Sequence, residues 1–453
     1  MSETRQKKGR SPGDERTAAP ESLPHADASE RAPISRRHAL GVAAGLMGAA
    51  VVGGKTAQAL AQHSAPAGAA GPAVPASTVA PSVPLDASAV PGTASGPLSV
   101  RSPFETPVLA PVGVTTGSSW TPLQSVAGTI TPSDLHFQRH HNGIAVIDPA
   151  RYELAIHGLV DRPLVFTLEE LKRFPSVTRT WFVECSGNGR AAYHAPKREM
   201  TPQQVDGLTS NSEWTGVRVT TLLKEAGIQR TASWVLAEGG DAARLSRSVP
   251  LEKMMDDAII AYAQNGEAVR LANGYPARLL LPGYEGNMCI KWIRRLKAVD
   301  QPNMSRDETS KYTDPLPNGT ARQFSFVMDV KSIITSPSYP GKLASPGWWP
   351  VTGLAWTGRG KITRVDVSTD GGQGWTEAEL VSRVHRMAHV RFQHLWQWDG
   401  KPTTLMSRAV DETGAVQPTL ELFKRVRGEG TDFHYNSIRS WLVEADGRVY
   451  FGG

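Results

Sequence analysis

Two cysteines, Cys185 and Cys289, are all the thiol chemistry this chain of 453 residues can draw on. An iron–sulfur cluster, a four-cysteine zinc site or a haem-attachment motif cannot be built from one pair. A redox role would therefore need a metal held by at most two thiolates, with any haem in another chain. Cys185 follows the strand-like run Trp181-Phe182-Val183-Glu184 and opens a glycine-rich loop, Ser186-Gly187-Asn188-Gly189-Arg190. Glycines let backbone N–H groups approach an anion, and Arg190 adds a fixed cationic fork. Three readings of Cys185 are open at this point: a metal thiolate, a nucleophile, or half of a disulfide with Cys289.

The elements that must position these groups begin late. None of the 32 aromatic residues falls in the first 103 positions, so no globular core starts there. Ser35-Arg36-Arg37-His38-Ala39-Leu40 follows a polar start and precedes an uncharged stretch, Gly41 to Gly54, with Ala57-Gln58-Ala59 and Ala59-Leu60-Ala61 beyond it. That pattern predicts a twin-arginine export signal over 1–61, too short in its apolar part to span a membrane, and hence a protein exported folded to the periplasm. Residues 62–103, rich in Ala, Pro, Ser and Gly, predict a disordered linker. Residues 1–61 also supply half of the formal net charge of +6; the near-balanced remainder argues against a general nucleic-acid binder.

From Phe104 on, turn residues are dense and short β-rich runs alternate with a few short helices. Leu154–His157 and Arg278–Leu281 read as strands. Thr167 caps a helix that starts at Leu168 with carboxylates in its first turn, and Thr220–Glu225 reads as a helix ended by Gly227. Residues 104–319 thus read as an α+β domain. Beyond the Pro/Gly-rich 314–319, period-two runs at Val351–Trp356, Ile362–Ser368 and Val390–Gln393 predict an immunoglobulin-like β-sandwich over 320–453. The tryptophans Trp348, Trp349, Trp356, Trp375, Trp396 and Trp398 read as its core and as a dimer interface. His385, His389 and His394 lie in the same β-rich stretch, where helical spacing does not apply, and read as packing or surface residues.

The Glu184–Arg190 run resembles the metal-cysteine motif of the sulfite oxidase family of molybdopterin enzymes. Three further ordered blocks carry the likeness: His136-Phe137-Gln138-Arg139-His140-His141; Asn273–Gly283 with Lys291-Trp292-Ile293; and Gly353–Gly358 with Val365–Gly372. Within the family, Arg139–Gly143, Glu308–Asp314 and His434-Tyr435-Asn436 are similar to the molybdenum subunits of sulfane dehydrogenases of the thiosulfate-oxidising system. The resemblance implies a catalytic domain that binds a pyranopterin dithiolene and a C-terminal dimerisation sandwich. Cys185 would be the metal ligand, which leaves Cys289 as a free, buried thiol. Phe137, Gln138, Arg139, His140, His141, Asp241, Asn273, Arg278, Cys289, Ile290 and Lys291 would bind the cofactor. Arg139, Arg190 and Tyr312 would be the catalytic groups. Two departures stand out: His140 replaces the usual asparagine, and four residues separate Arg306-Asp307 from Tyr312, up to which the alignment must stretch. A third lies at His434-Tyr435, in the place where sulfite-oxidising relatives carry a substrate-gripping arginine.

The function so implied is oxidation of a sulfane sulfur carried on a partner protein, with electrons passed to a c-type cytochrome subunit. Two copies of this chain would pair within a heterotetramer. Free sulfite as substrate is the alternative within the family. A non-catalytic, exported interaction protein is the alternative outside it.

Overall fold

The computed structural model describes residues 95–453, apart from 112, 114 and 317. The export signal and the linker up to residue 94 lie outside the described residues. Residues 95–103 are exposed, without helix or strand.

The α+β expectation for the first region is met by two five-stranded sheets with short helices between their strands. In one, Glu267–Ala268, Ile259–Gln264, Thr209–Arg218 and Ser176–Glu184 lie in that order, and Arg278–Leu280 also pairs with Ile259–Gln264. In the other the order is Leu164–Thr167, Glu153–Gly158, Ile293–Val299, Trp234–Gly239 and Ser246–Pro250. Only Glu153–Gly158 and Ile293–Val299 pair in parallel there.

Local chemistry explains the helices. Thr167 Oγ1 accepts the Glu170 N–H at 3.2 Å, while the Glu170 carboxylate accepts the Thr167 N–H at 2.9 Å. That capping box starts Leu168–Arg173, whose Leu168 and Leu171 enter the core. Val219–Ala226 ends at Gly227 (φ +72°), where an added Cβ would strike the Asp161 side chain.

From Lys331 on, two antiparallel sheets pack as a sandwich. One contains Lys331–Ser336, Gly347–Trp356, Val390–Trp398 and Glu379–Leu380; the other Thr376–Glu377, Ile362–Ser368, Thr403–Asp411, Ser440–Val443 and Val449–Phe451. Alternation sends Leu354, Trp356 and Phe392 inward to meet Val365, Leu405 and Trp441. Trp396 and Trp398 are buried too, whereas Trp348 points outward at 62% exposure. His389 is a core residue bonded to Thr209 Oγ1 at 2.9 Å, and His385 and His394 are half-buried.

The sandwich shares its core with the preceding region, since Leu123, Phe182, Ala192, Met200 and Val205 pack into the same cluster. Four charges are buried in this seam. Lys331 Nζ lies 2.6 Å from Asp206 Oδ1 and 3.3 Å from Glu184 Oε1, and Arg439 Nε lies 3.3 Å from Asp206 Oδ2.

Candidate active site

Strand Ser176–Glu184 pairs with Thr209–Arg218 in unbroken register, from Ser176 opposite Val217 to Glu184 opposite Thr209. Its last four residues, Trp181 to Glu184, are buried, so Cys185 emerges at a fixed point. The Cys185 N–H bonds the Leu208 carbonyl at 2.9 Å, and the Asn188 N–H turns back to the Cys185 carbonyl at 2.9 Å. Gly189 takes φ +95°, and a Cβ there would meet the Arg439 guanidinium and Asp206. Helix Arg190–His194 starts immediately after it. Glu184 is held by Asn188 Nδ2 at 2.8 Å and by the Trp356 indole N–H at 2.7 Å.

A second support reaches the same point from the first region. Gln138–His140 pairs antiparallel with Gly117–Ser119, which sets Arg139 opposite Ser118. The Arg139 guanidinium bonds the carbonyls of Gly117 and His140. Behind it, Lys291 Nζ lies 3.0 Å from the Arg139 carbonyl, 2.9 Å from the Ala272 carbonyl and 3.0 Å from His140 Nδ1. Those three acceptors use all three donors of an ammonium. His141 Nε2 lies 2.8 Å from the Tyr312 hydroxyl.

These side chains divide two cavities. A wide one of about 530 Å³ lies before Cys185, with Arg139, His141, Arg190, Arg306, Lys311 and Tyr312 among its lining residues. A narrower one also reaches Cys185 and is lined by His136, Phe137, His140, Asp241, Asn273, Arg278, Cys289, Ile290 and Lys291. Arg139, His141, Cys185 and Tyr312 line both.

Burial governs the charge states here. It lowers His140 to about 3, helped by Lys291 and Arg139, and His141 to about 4, helped by Arg139; both are neutral at ordinary pH. Burial and the nearby Arg278 hold Lys291 well below its ordinary value, and burial brings Arg278 to about 10. Burial, then the Cys185 thiolate, pushes the Tyr312 phenol up, so it keeps its proton. The Cys185 thiol is raised by burial, opposed by the Gly187 N–H and by Arg139 and Arg190.

Of the residues singled out from sequence, all but one line these cavities. The exception is Gln138, whose Oε1 lies 3.3 Å from His140 Nε2 and which lines neither. It supports a wall residue, because side chains two apart on a strand share a face and Gln138 reaches the His140 ring there. The expectation for His434-Tyr435 also needs correction. Asp432 and Phe433 line the wide cavity, while His434 is buried with its N–H on the Ser186 carbonyl and its Nε2 3.7 Å from Glu285. Tyr435 is buried against His194. Sequence reasoning missed Phe433, Trp120 and Asp307 as lining residues, although Phe433 adjoins the His434-Tyr435-Asn436 block and Asp307 lies in the Arg306-Asp307 pair; no local motif marks Trp120. Both cysteines are free, so the disulfide reading falls.

The chain is similar to the sulfane dehydrogenase SoxCD from Paracoccus pantotrophus, at 44% identity and a TM-score of 0.77, over 80% of this chain and 95% of that one. The chain belongs to the sulfite oxidase family. Residues 141–306 match the oxidoreductase molybdopterin binding domain, and residues 322–440 the Mo-co oxidoreductase dimerisation domain. Mitochondrial sulfite oxidase from Rattus norvegicus is 29% identical over 64% of this chain and 57% of its own length. NADH nitrate reductase 1 from Arabidopsis thaliana is 30% identical over 64% of this chain and 36% of its own. The chain thus spans little more than half of the first and about a third of the second.

Members of the sulfite oxidase family with these domains carry molybdenum on molybdopterin, and the residues present fit that cofactor. Arg278 Nε and His136 Nε2 are buried without hydrogen-bond partners on residues that line the narrow cavity. Orphaned polar atoms of this kind suit a polar ligand. Arg278, with its Nε free, suits its phosphate, while Lys291 spends its donors on the wall behind Arg139, and Cys185, at the junction of both cavities, offers the soft sulfur donor that such a metal favours.

Proposed function

We propose that this protein is a periplasmic molybdenum oxidoreductase that oxidises sulfane sulfur borne on the cysteine of a carrier protein and passes the electrons to a c-type cytochrome. The observation that carries the reading is the wide cavity before Cys185, which has guanidiniums at Arg139 and Arg190 and is larger than a small anion requires. The likeness to a sulfane dehydrogenase over nearly the whole of that chain supports it.

Molybdenum, when bound, supplies a two-electron sink and oxygen-atom transfer. Everything else falls to the chain. Arg139 and Arg190 draw an anionic sulfur inward and stabilise charge that grows as it is oxidised. Tyr312 holds its proton, and the neutral His141 ring accepts it as a hydrogen bond or shares it through Nε2. Trp120 and Phe433 give the wide cavity an apolar border that limits water around the sulfur.

Steady-state turnover separates the substrates. With the cytochrome present, a persulfidated carrier should be oxidised much faster than free sulfite. Equal or faster use of sulfite would make the protein a sulfite dehydrogenase. Export by the twin-arginine route is tested by changing Arg36 and Arg37 together to Lys. That change should strand the precursor in the cytoplasm, because the pair is an address read by a receptor; undiminished periplasmic activity would contradict it.

A further inference from the structure

Tyr312 is held by more than its own backbone. It stands at φ +52°, in the left-handed region that a bulky residue occupies only when its surroundings over-determine it. Residues 310–313 form neither helix nor strand. Its hydroxyl is 2.8 Å from His141 Nε2, the Phe433 ring is 5.4 Å away between centroids, and the guanidinium carbon of Arg247 lies 5.0 Å from the ring centroid.

Arg247 lies on strand Ser246–Pro250 and is 1% exposed, where an unpaired charge would be costly. One arm of its fork donates to Glu285 Oε1 at 3.3 Å and the other to Asn287 Oδ1, while Nε has no hydrogen-bond partner. Both acceptors belong to the turn behind the cysteine. Asn287 Nδ2 donates to Ser186 Oγ at 3.2 Å, and a Cβ on Gly286 would meet the Glu184 carbonyl at 2.8 Å. Arg247 lines neither cavity, so it can act only through what it touches. Its fork is tied to the backing of the Cys185 loop, and its cation rests on the ring of Tyr312. A desolvated guanidinium on an aromatic face is the strong form of that contact.

We propose that Arg247 is a positioning residue: it holds the Tyr312 ring, and with it the hydroxyl bond to His141, in register with the Cys185 loop. The catalytic consequence rests on the role given to Tyr312 above; the hold itself does not.

Arg247→Met removes cation and fork. Because it strands Glu285, Arg247→Met with Glu285→Gln is the variant that keeps the pocket neutral, and Arg247→Lys restores the cation alone. In the full chain, nitration of Tyr312 by tetranitromethane, read by mass spectrometry, should rise roughly tenfold in both Met variants and fall back partly in the Lys variant. Tyr152, buried and bonded to the Ile293 carbonyl rather than to Arg247, is the internal control for unfolding. Unchanged Tyr312 nitration in the folded double variant overturns the proposal. In the loaded enzyme, kcat should fall more than KM changes, and the loss should vanish in a Tyr312→Phe background. Losses that multiply would overturn it as well. Were Tyr312→Phe to turn over at the wild-type rate while nitration rose, the hold would stand and the role assigned to Tyr312 would fail.

Discussion

Burial raises the Cys185 thiol, and the Gly187 N–H with the guanidiniums of Arg139 and Arg190 pulls it only part of the way back. A soft metal completes the ionisation, since ligation requires the thiolate. Serine at this position would offer a harder oxygen that ionises far less readily. Cys185→Ser is expected to reduce turnover to background and perturb the metal, with the melting temperature little changed; retention of wild-type turnover would remove Cys185 from the metal. Cys289→Ser should keep most activity. Its sulfur accepts the Leu281 N–H at 3.4 Å and donates to the Leu281 carbonyl at 3.7 Å within the narrow cavity's wall, and a hydroxyl can do both. At this scale the chain was legible wherever chemistry sits in a short motif: Cys185 at a strand end, Arg139 beside two histidines, Lys291 before Trp292. Arg247 and Phe433 were not. Each meets Tyr312 from more than 60 positions away, a meeting that only the folded chain brings about.

Besides its pairing, the strand that delivers Cys185 is held by charges brought to its end. Burial would raise Asp206, but Lys331 and then Arg439 outweigh it, so its carboxyl lies below the ordinary value. Glu184 shares the same lysine and is shifted the other way, since for it burial wins. A depressed folded pKa stabilises the fold above the unfolded value, and that contribution disappears as pH falls through the folded one. The window therefore opens below about pH 4. Asp206→Asn leaves two cations buried without their full partner and should cost about 3–5 kcal/mol, read as a lower melting temperature at neutral pH. Its stability should also decline less steeply below about pH 4; an acid curve parallel to wild type would show that Asp206 carries no such linkage. Period-two runs made the sandwich readable, and Thr167 and Gly227 marked helix ends. No such pattern foretold this seam, because Glu184, Asp206, Lys331 and Arg439 come together only when the sheets pack.

For the whole molecule, the match to a dimerisation domain and the outward face of the Gly347–Trp356 strand lead to one expectation. Trp348, Pro350 and Leu395 are exposed there, with Pro350 opposite Leu395, and a second copy of the chain would cover them. Light scattering on the mature complex should give two molybdenum chains with two cytochromes, and Trp348→Glu should halve that mass. A wild-type complex holding one molybdenum chain would sink the pairing. The buried seam also has a consequence for the order in which the protein is made. Arg439 lies 233 positions after Asp206, and the Phe451 N–H bonds the Arg198 carbonyl at 2.8 Å. Until they arrive, Asp206 lacks Arg439, and before Lys331 it and Glu184 are two carboxylates with no cation between them. The backing of the Cys185 loop is therefore completed by residues made long after the loop itself, and a chain synthesised only as far as residue 330 has neither Lys331 nor Arg439 to neutralise Asp206 and Glu184.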